Sequence, residues 1–498
     1  MSQRWEGRRA PVAARAWAGA AGCDLAGRPA AAEEKRVIWS GRATARTGAP
    51  LVMYSRDDLQ DFMRTRNFDR FSVPLPSDRP ERSYHSISVR SKWKDSQTVV
   101  VRYMGTKRHM ADHVSEIIAN LEPRGRVVDL FSGMGSVAES LQNVCSVVTN
   151  DALSFTAAIS RARFLGEDRD VEKRHVMERL VASYRERYKE LRAEYEVQIK
   201  AEDAALGGKR ADLADYMTTA QHVGNNLGLR QRAQMARTQE GRSHYQLATL
   251  YFGAGYLSLR QAIEVDSIRY AIDSDDISSQ RDWLLASWLL GLSVLINAPG
   301  HTAQFLKPTT ESSHARIVRT WRRSVWDEFG KALAVLSQVG TTEWRSSNTV
   351  LVGDALDFVC QGKIDDIGAI YADPPYTKDQ YSRYYHVYET LYRYDFPDSN
   401  GAGRSRSDRF TTGFSLKTEV IASFRDLGRN VARMDVPLVL SYPSSGLLSD
   451  AGMSVHEALS PYFKDLKHYS FAANHSTLGA STGKQKHATT ENLYVYTP

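Results

Sequence analysis

The chain has 498 residues, enough for two or three domains of about 100–200 residues each. It is 42% hydrophobic and 25% charged, a balance that excludes fibrous and wholly disordered classes, and its net charge of +7 favours a polyanionic partner. Its three cysteines, Cys23, Cys145 and Cys360, are too far apart for a disulfide framework or a zinc site, which suits a reducing cytoplasm.

Residues 1–50 are rich in Ala, Arg and Gly without helical or strand period, and they read as a disordered tail. Glu6, Asp24, Glu33 and Glu34 count against a transit peptide. Residues 51–97 form a partly structured accessory segment, in which Ser55 is placed to cap a short helix. A β-branched strand over 98–101 feeds Arg102-Tyr103-Met104-Gly105-Thr106-Lys107, and a helical period over 107–121 stops at Pro123.

The next unit is a strand over 126–131, a tight turn at Ser132-Gly133-Met134-Gly135-Ser136, and a helix opening at Val137. Glycines in such a turn let a ligand approach the backbone. A second apolar run over 145–150 ends at Asp151, a carboxylate well placed for ribose hydroxyls. The turn alone leaves three readings open. Gly133, Gly135 and Ala138 satisfy the dinucleotide fingerprint, with Asp151 at about the expected interval of roughly 20 residues. A methyl-donor site and a bare strand–helix turn fit equally well.

From residue 155 to about 344 the pattern is mostly helical, with one charged helix over 174–200 and another helix over 321–336. The most apolar stretch, 283–298, is shorter than the roughly 20 residues that span a bilayer, and it stops at Asn297-Ala298-Pro299-Gly300. It reads as a buried core helix, so no membrane partner is expected. A segment this long exceeds any crossover between parallel strands. It reads as an inserted domain leaving the sheet beside the ligand crevice, where a target-reading element belongs.

A strand over 349–352 precedes Asp354, and a strand over 367–372 runs into Asp373-Pro374-Pro375-Tyr376. Two prolines fix φ and remove two donors, so the chain can continue neither a helix nor a ladder. An acidic acceptor, a backbone carbonyl and a flat ring at one strand end suit a planar group bearing an NH2, such as a nucleobase amine. Asp373 and the Pro374 carbonyl would accept both amine hydrogens, and Tyr376 would stack on the base. Hydride transfer has no use for such a corner, whereas methyl transfer to an amine does. His386 and Glu389 read as structural, as does His301, although His301 and Gln304 lie in a loop able to approach the base. Residues 401–409 read as a flexible basic loop whose Arg404, Arg406 and Arg409 touch DNA phosphates. A helix over 416–434 and strands over 436–442, 466–471 and 491–496 complete the chain.

With these blocks in this order, the chain resembles the Dam-like adenine-N6 DNA methyltransferases, which use S-adenosylmethionine. The resemblance covers about 98–155 and 345–498. It implies that Arg102, Tyr103, Gly105 and Lys107 form the N-terminal cofactor block. It further implies that Asp129, Phe131, Gly133 and Gly135 hold the methionine end of the donor, Asp151 its ribose, and Asp354 its adenine. Asp373, Pro374, Pro375 and Tyr376 become the catalytic corner. The expected fold is a Rossmann-like class I methyltransferase α/β sheet with a helical insertion over 156–344 as target-recognition domain. The expected partners are double-stranded DNA and a restriction enzyme or other defence component. RNA adenine-N6 and DNA cytosine-N4 methylation stay open, though Ser is more usual than Asp at the first corner position for cytosine. A nucleic-acid-binding module with an inactive core is a further reading, opposed by the intact Gly133, Gly135, Asp151 and Asp373.

Overall fold

Short aliphatic runs that are apolar on both faces belong in the middle of a parallel sheet covered on both sides. The computed structural model describes residues 107–169, 173–276, 278–362, 364–476 and 486–498, together with the strand Arg36–Ile38. Within 126–497 the runs become β1 (Arg126–Asp129), β2 (Val147–Asp151), β3 (Thr349–Val352), β4 (Ile367–Ala372) and β5 (Leu438–Pro443), followed by β6 (Asp465–Ser476) and β7 (Lys486–Thr497). Their order is β6-β7-β5-β4-β1-β2-β3. The first five are mutually parallel, and β7 runs antiparallel to both β5 and β6.

Alternation along each strand divides the core into two layers. Val127, Val147, Tyr371, Val439 and Leu493 share one face with Val114 and Ile118 of the helix Ala111–Ala119. Val128, Val148, Ile370 and Leu440 share the other with Phe424, Leu427 and Val431 of the helix Val420–Arg433. The chain passes from β3 through the helix Ala355–Gln361 to β4 on the far side of β1. Strand order therefore reverses between β1 and β4, and a crevice opens where their carboxyl ends diverge.

Between β2 and β3 the described residues form helices and turns but no strand. The apolar stretch is a buried helix, Arg281–Ser293, with Leu284, Trp288 and Leu292 inaccessible to solvent. No helix among the described residues is long and apolar enough to cross a membrane. Two expectations need correction. The charged helix is two helices, Lys173–Glu194 and Glu196–Gly207, broken at Tyr195. The helix expected over 321–336 starts later, at Val325–Val335, because Ser324 accepts the Asp327 N–H as its cap, and Trp321 instead ends the preceding helix Glu311–Trp321. The readings of 1–50 and 51–97, and the strand over 98–101, lie outside the described residues apart from Arg36–Ile38.

Candidate active site

The turn after β1 needs its glycines for two different reasons. Gly133 and Gly135 have φ of 49° and 72°, in the left-handed region that favours glycine. The Gly133 N–H donates to Asp151 Oδ2 at 2.9 Å, and the Leu153 N–H donates to Asp151 Oδ1 at 2.9 Å. Asp151 thereby ties the end of β2 to the β1 turn. Gly133 lines the crevice with Asp129, Phe131 and Asp151. Gly135 does not: a Cβ there would stand 2.4 Å from the Phe164 ring, in the core. Its role is to let the turn close over Phe164 rather than to admit a ligand. Asp354 reaches the crevice from β3 while its Oδ1 caps the helix Ala355–Gln361 through the Leu356 N–H at 2.7 Å.

The corner after β4 forms the opposite wall. Asp373 and Pro375 line the crevice, and Pro374 is buried behind them. Lys107 Nζ lies 3.2 Å from Asp373 Oδ1 and 3.2 Å from Glu491 Oε2 on β7. Antiparallel pairing sets Glu491 opposite Pro443 of β5, which brings it to the corner. The Tyr376 ring centroid is 5.7 Å from the same ammonium, and the Tyr376 carbonyl accepts the Leu447 N–H at 2.9 Å. Gln380 Oε1 accepts the Thr412 N–H at 3.0 Å, and both residues line the crevice beside Tyr381.

Charge at this site is shaped by burial. Burial pushes the Asp373 carboxyl up to about 6; Lys107 opposes the rise and Glu491 adds to it. Burial, together with the charges of Asp373 and Asp151, pushes Asp129 up to about 8. Burial also raises Asp151, against the N–H groups of Leu153 and Gly133. Burial alone would lower Lys107, but Asp373 and Glu491 outweigh it and hold the ammonium charged. Asp129 Oδ1 is buried without a hydrogen-bond partner among the described residues. Asp129, Asp151, Asp354 and Asp373 thus face one crevice whose lysine is already engaged. That donor set fits a cationic ligand carrying hydroxyls. No His, Cys, Asp or Glu group among the described residues is arranged to hold a metal.

Arg102, Tyr103 and Gly105 lie outside the described residues. Lys107 reaches the crevice, but its partners are carboxylates of the corner and of β7. The flexible phosphate-binding loop is not found. Residues 399–406 form a short hairpin, and Arg404 is 2% exposed, with Nη1 donating to the carbonyls of Tyr251 at 2.8 Å and Gly253 at 2.7 Å. Arg406 is equally buried, paired with Asp395 and Asp408, and Arg409 is half-buried. Arg404 and Arg406 satisfy the protein's own carbonyls and carboxylates, so they have no fork to offer a phosphate. His386 is buried against Tyr256, and Glu389 accepts the Phe155 N–H at 3.1 Å, so both are structural. Sequence reasoning missed Glu491, whose signal is an acidic residue heading the apolar run of β7, and Gln380 and Thr412, which carry none.

Residues 103–248 and 338–435 match the model of the D12 class N6 adenine-specific DNA methyltransferase family. The chain is 23% identical over 337 residues to Modification methylase LlaI of Lactococcus lactis subsp. lactis, covering 66% of this chain and 44% of that protein. It is 22% identical over 363 residues to Modification methylase StsI of Streptococcus sanguinis, covering 71% and 45%. It is 22% identical over 351 residues to Type II methyltransferase M.FokI of Planomicrobium okeanokoites, covering 70% and 45%. The chain therefore spans less than half the length of these relatives.

Proposed function

Because the chain belongs to the D12 class of N6 adenine-specific DNA methyltransferases, we propose that it methylates the N6 amine of adenine at a specific site in double-stranded DNA. The observation that carries this reading is the Asp373 carboxylate in the wall of a crevice shared with the glycine turn and Asp151. S-adenosylmethionine supplies an electrophilic methyl group on a sulfonium. In the Rossmann-like class I arrangement, Asp129 and the turn at Phe131–Gly133 face its methionine end, Asp151 its ribose and Asp354 its adenine.

The N6 lone pair is delocalised into the ring and needs help to attack. Asp373 and the Pro374 carbonyl accept the two N6 hydrogens, which returns electron density to nitrogen. Lys107 keeps Asp373 ionised and oriented, and Glu491 keeps Lys107 in place. Tyr376 stacks on the base, a contact of about 1–3 kcal/mol. Aligning the reactants contributes roughly 7–11 kcal/mol of barrier reduction. Transfer to N6 would break the methyl–sulfur bond and release a neutral thioether, so no strong acid is required, and the surplus N6 proton would leave to the Asp373 carboxylate or to solvent. The target atom lies inside the duplex stack, and the base must flip at a cost of a few kcal/mol.

The helical segment between β2 and β3 is the candidate for target recognition, and residues 249–337 within it lie outside the family match. The relatives' names as modification methylases support a role beside a restriction or defence nuclease. The test is nucleoside analysis of duplex DNA incubated with the protein and S-adenosylmethionine. N6-methyladenine is expected. N4-methylcytosine, or methylation of RNA alone, would overturn the reading.

A further inference from the structure

With Arg404 and Arg406 buried, phosphate contacts must come from elsewhere. The helix Glu311–Trp321 packs Ile317 and Trp321 against Leu206, Leu213 and Met217. Its other side, with Arg316, Arg319 and, one turn beyond, Arg323, forms one wall of a polar cleft. Spacing of three and seven residues places these three side chains on one face. The loop from Ser293 to Thr302 forms the other wall. Arg323 is neutralised, donating to the Val294 carbonyl at 2.9 Å and pairing with Glu328 at 2.9 Å. Arg316 donates to the Ala298 carbonyl at 3.1 Å. Neither Arg316 nor Arg319 makes an ion pair among the described residues, and neither is buried.

The cleft is joined to the catalytic corner. Thr302 donates twice to the Tyr384 carbonyl, at 2.6 Å from N–H and 2.7 Å from Oγ1. The His301 ring stacks on Tyr384 with centroids 4.7 Å apart. Tyr384 ends the four-residue helix Tyr381–Tyr384, whose Tyr381 and Ser382 line the crevice holding Asp373. His301 Nδ1 accepts the Ala303 N–H at 3.4 Å, so in the neutral ring Nε2 carries the proton. Burial favours that neutral ring, which leaves a donor in the cleft wall.

We propose that this cleft seats a backbone phosphate of duplex DNA beside the flipped base, held by Arg316 and Arg319 with His301 as a neutral donor. The proposal rests on the DNA reading above. Phosphate contacts set register without reading sequence, so they suit a cleft whose charged donors are exposed arginines.

The experiment is a salt titration of duplex binding for the full chain, the double variant Arg316→Ala/Arg319→Ala, and the charge-keeping Arg316→Lys/Arg319→Lys. The alanine variant is expected to bind duplexes of different sequence more weakly by the same factor. Its log–log salt slope should fall by about 0.9 for each phosphate it no longer neutralises, while the lysine variant keeps most of the slope. S-adenosylmethionine affinity should not change, because neither arginine lines the donor crevice. An alanine variant with wild-type affinity and slope would overturn the cleft while leaving the DNA reading intact. So would a loss confined to one sequence. A wild-type protein that binds no duplex would overturn both.

Discussion

Lys107 Nζ sits 3.2 Å from Asp373 Oδ1, and a second buried carboxylate, Glu491, holds the same ammonium from the opposite strand. One cation serves two anions in a site where Asp129 is also buried. Lys107 thus opposes the rise that burial imposes on the Asp373 carboxyl, and releasing it would strand Glu491 without its counter-charge.

The first prediction separates chemistry from donor binding. Asp373→Ala removes the acceptor of the N6 hydrogens but leaves Asp129, Gly133 and Asp151 in place. Methyl transfer should be lost, whereas calorimetry should find S-adenosylmethionine affinity within a few-fold of wild type. An active variant would refute the acceptor role of Asp373.

The second concerns pH. Asp373 works as a carboxylate, and burial raises its pKa to about 6, so turnover should fall as pH drops below that value. Glu491 contributes to the rise and Lys107 opposes it. Glu491→Gln should therefore move the acid limb of the rate profile to lower pH. Lys107→Met should move it to higher pH and slow the reaction. A change in rate with no movement of the acid limb in either variant would mean that these residues only support the fold.

Sequence legibility was uneven for physical reasons. The central strands, the glycine turn and the Asp373–Tyr376 corner were readable because parallel strands are continuous apolar runs and glycine and proline punctuate them. Glu491 was not, because its partner Lys107 meets it only through the antiparallel insertion of β7 between β5 and β6. Arg404 was misread because local sequence does not reveal that the carbonyls of Tyr251 and Gly253 would be left needing donors. Gly255, where a Cβ would stand 3.1 Å from Arg404 Nη2, is the one hint that space had been left for it.

That arrangement yields a third prediction. Arg404→Ala should lower the melting temperature rather than DNA affinity, because it strands two buried carbonyls. Hydrogen bonds to charged groups contribute about 1.5–3 kcal/mol each. Unchanged stability with weakened DNA binding would restore the phosphate-contact reading.

A fourth prediction concerns Gly135. Its Cβ direction meets Phe164 and its φ is 72°, so Gly135→Val should destabilise the fold. Left-handed strain of about 1–2 kcal/mol adds to overpacking of about 1–3 kcal/mol. Gly135→Ala should show a smaller fall in melting temperature, and any loss of donor binding should track that fall. A stable Val variant that cannot bind the donor would place Gly135 in the ligand's path instead.

The central claim is that the Asp373 corner methylates adenine N6 in DNA at a defined site. Modification sequencing of DNA from cells expressing either the wild-type chain or Asp373→Ala tests it most directly. The account predicts N6-methyladenine within one recurring sequence for the wild type and none for the variant. Adenine methylation that persists in the variant, or wild-type DNA carrying N4-methylcytosine instead, would contradict it.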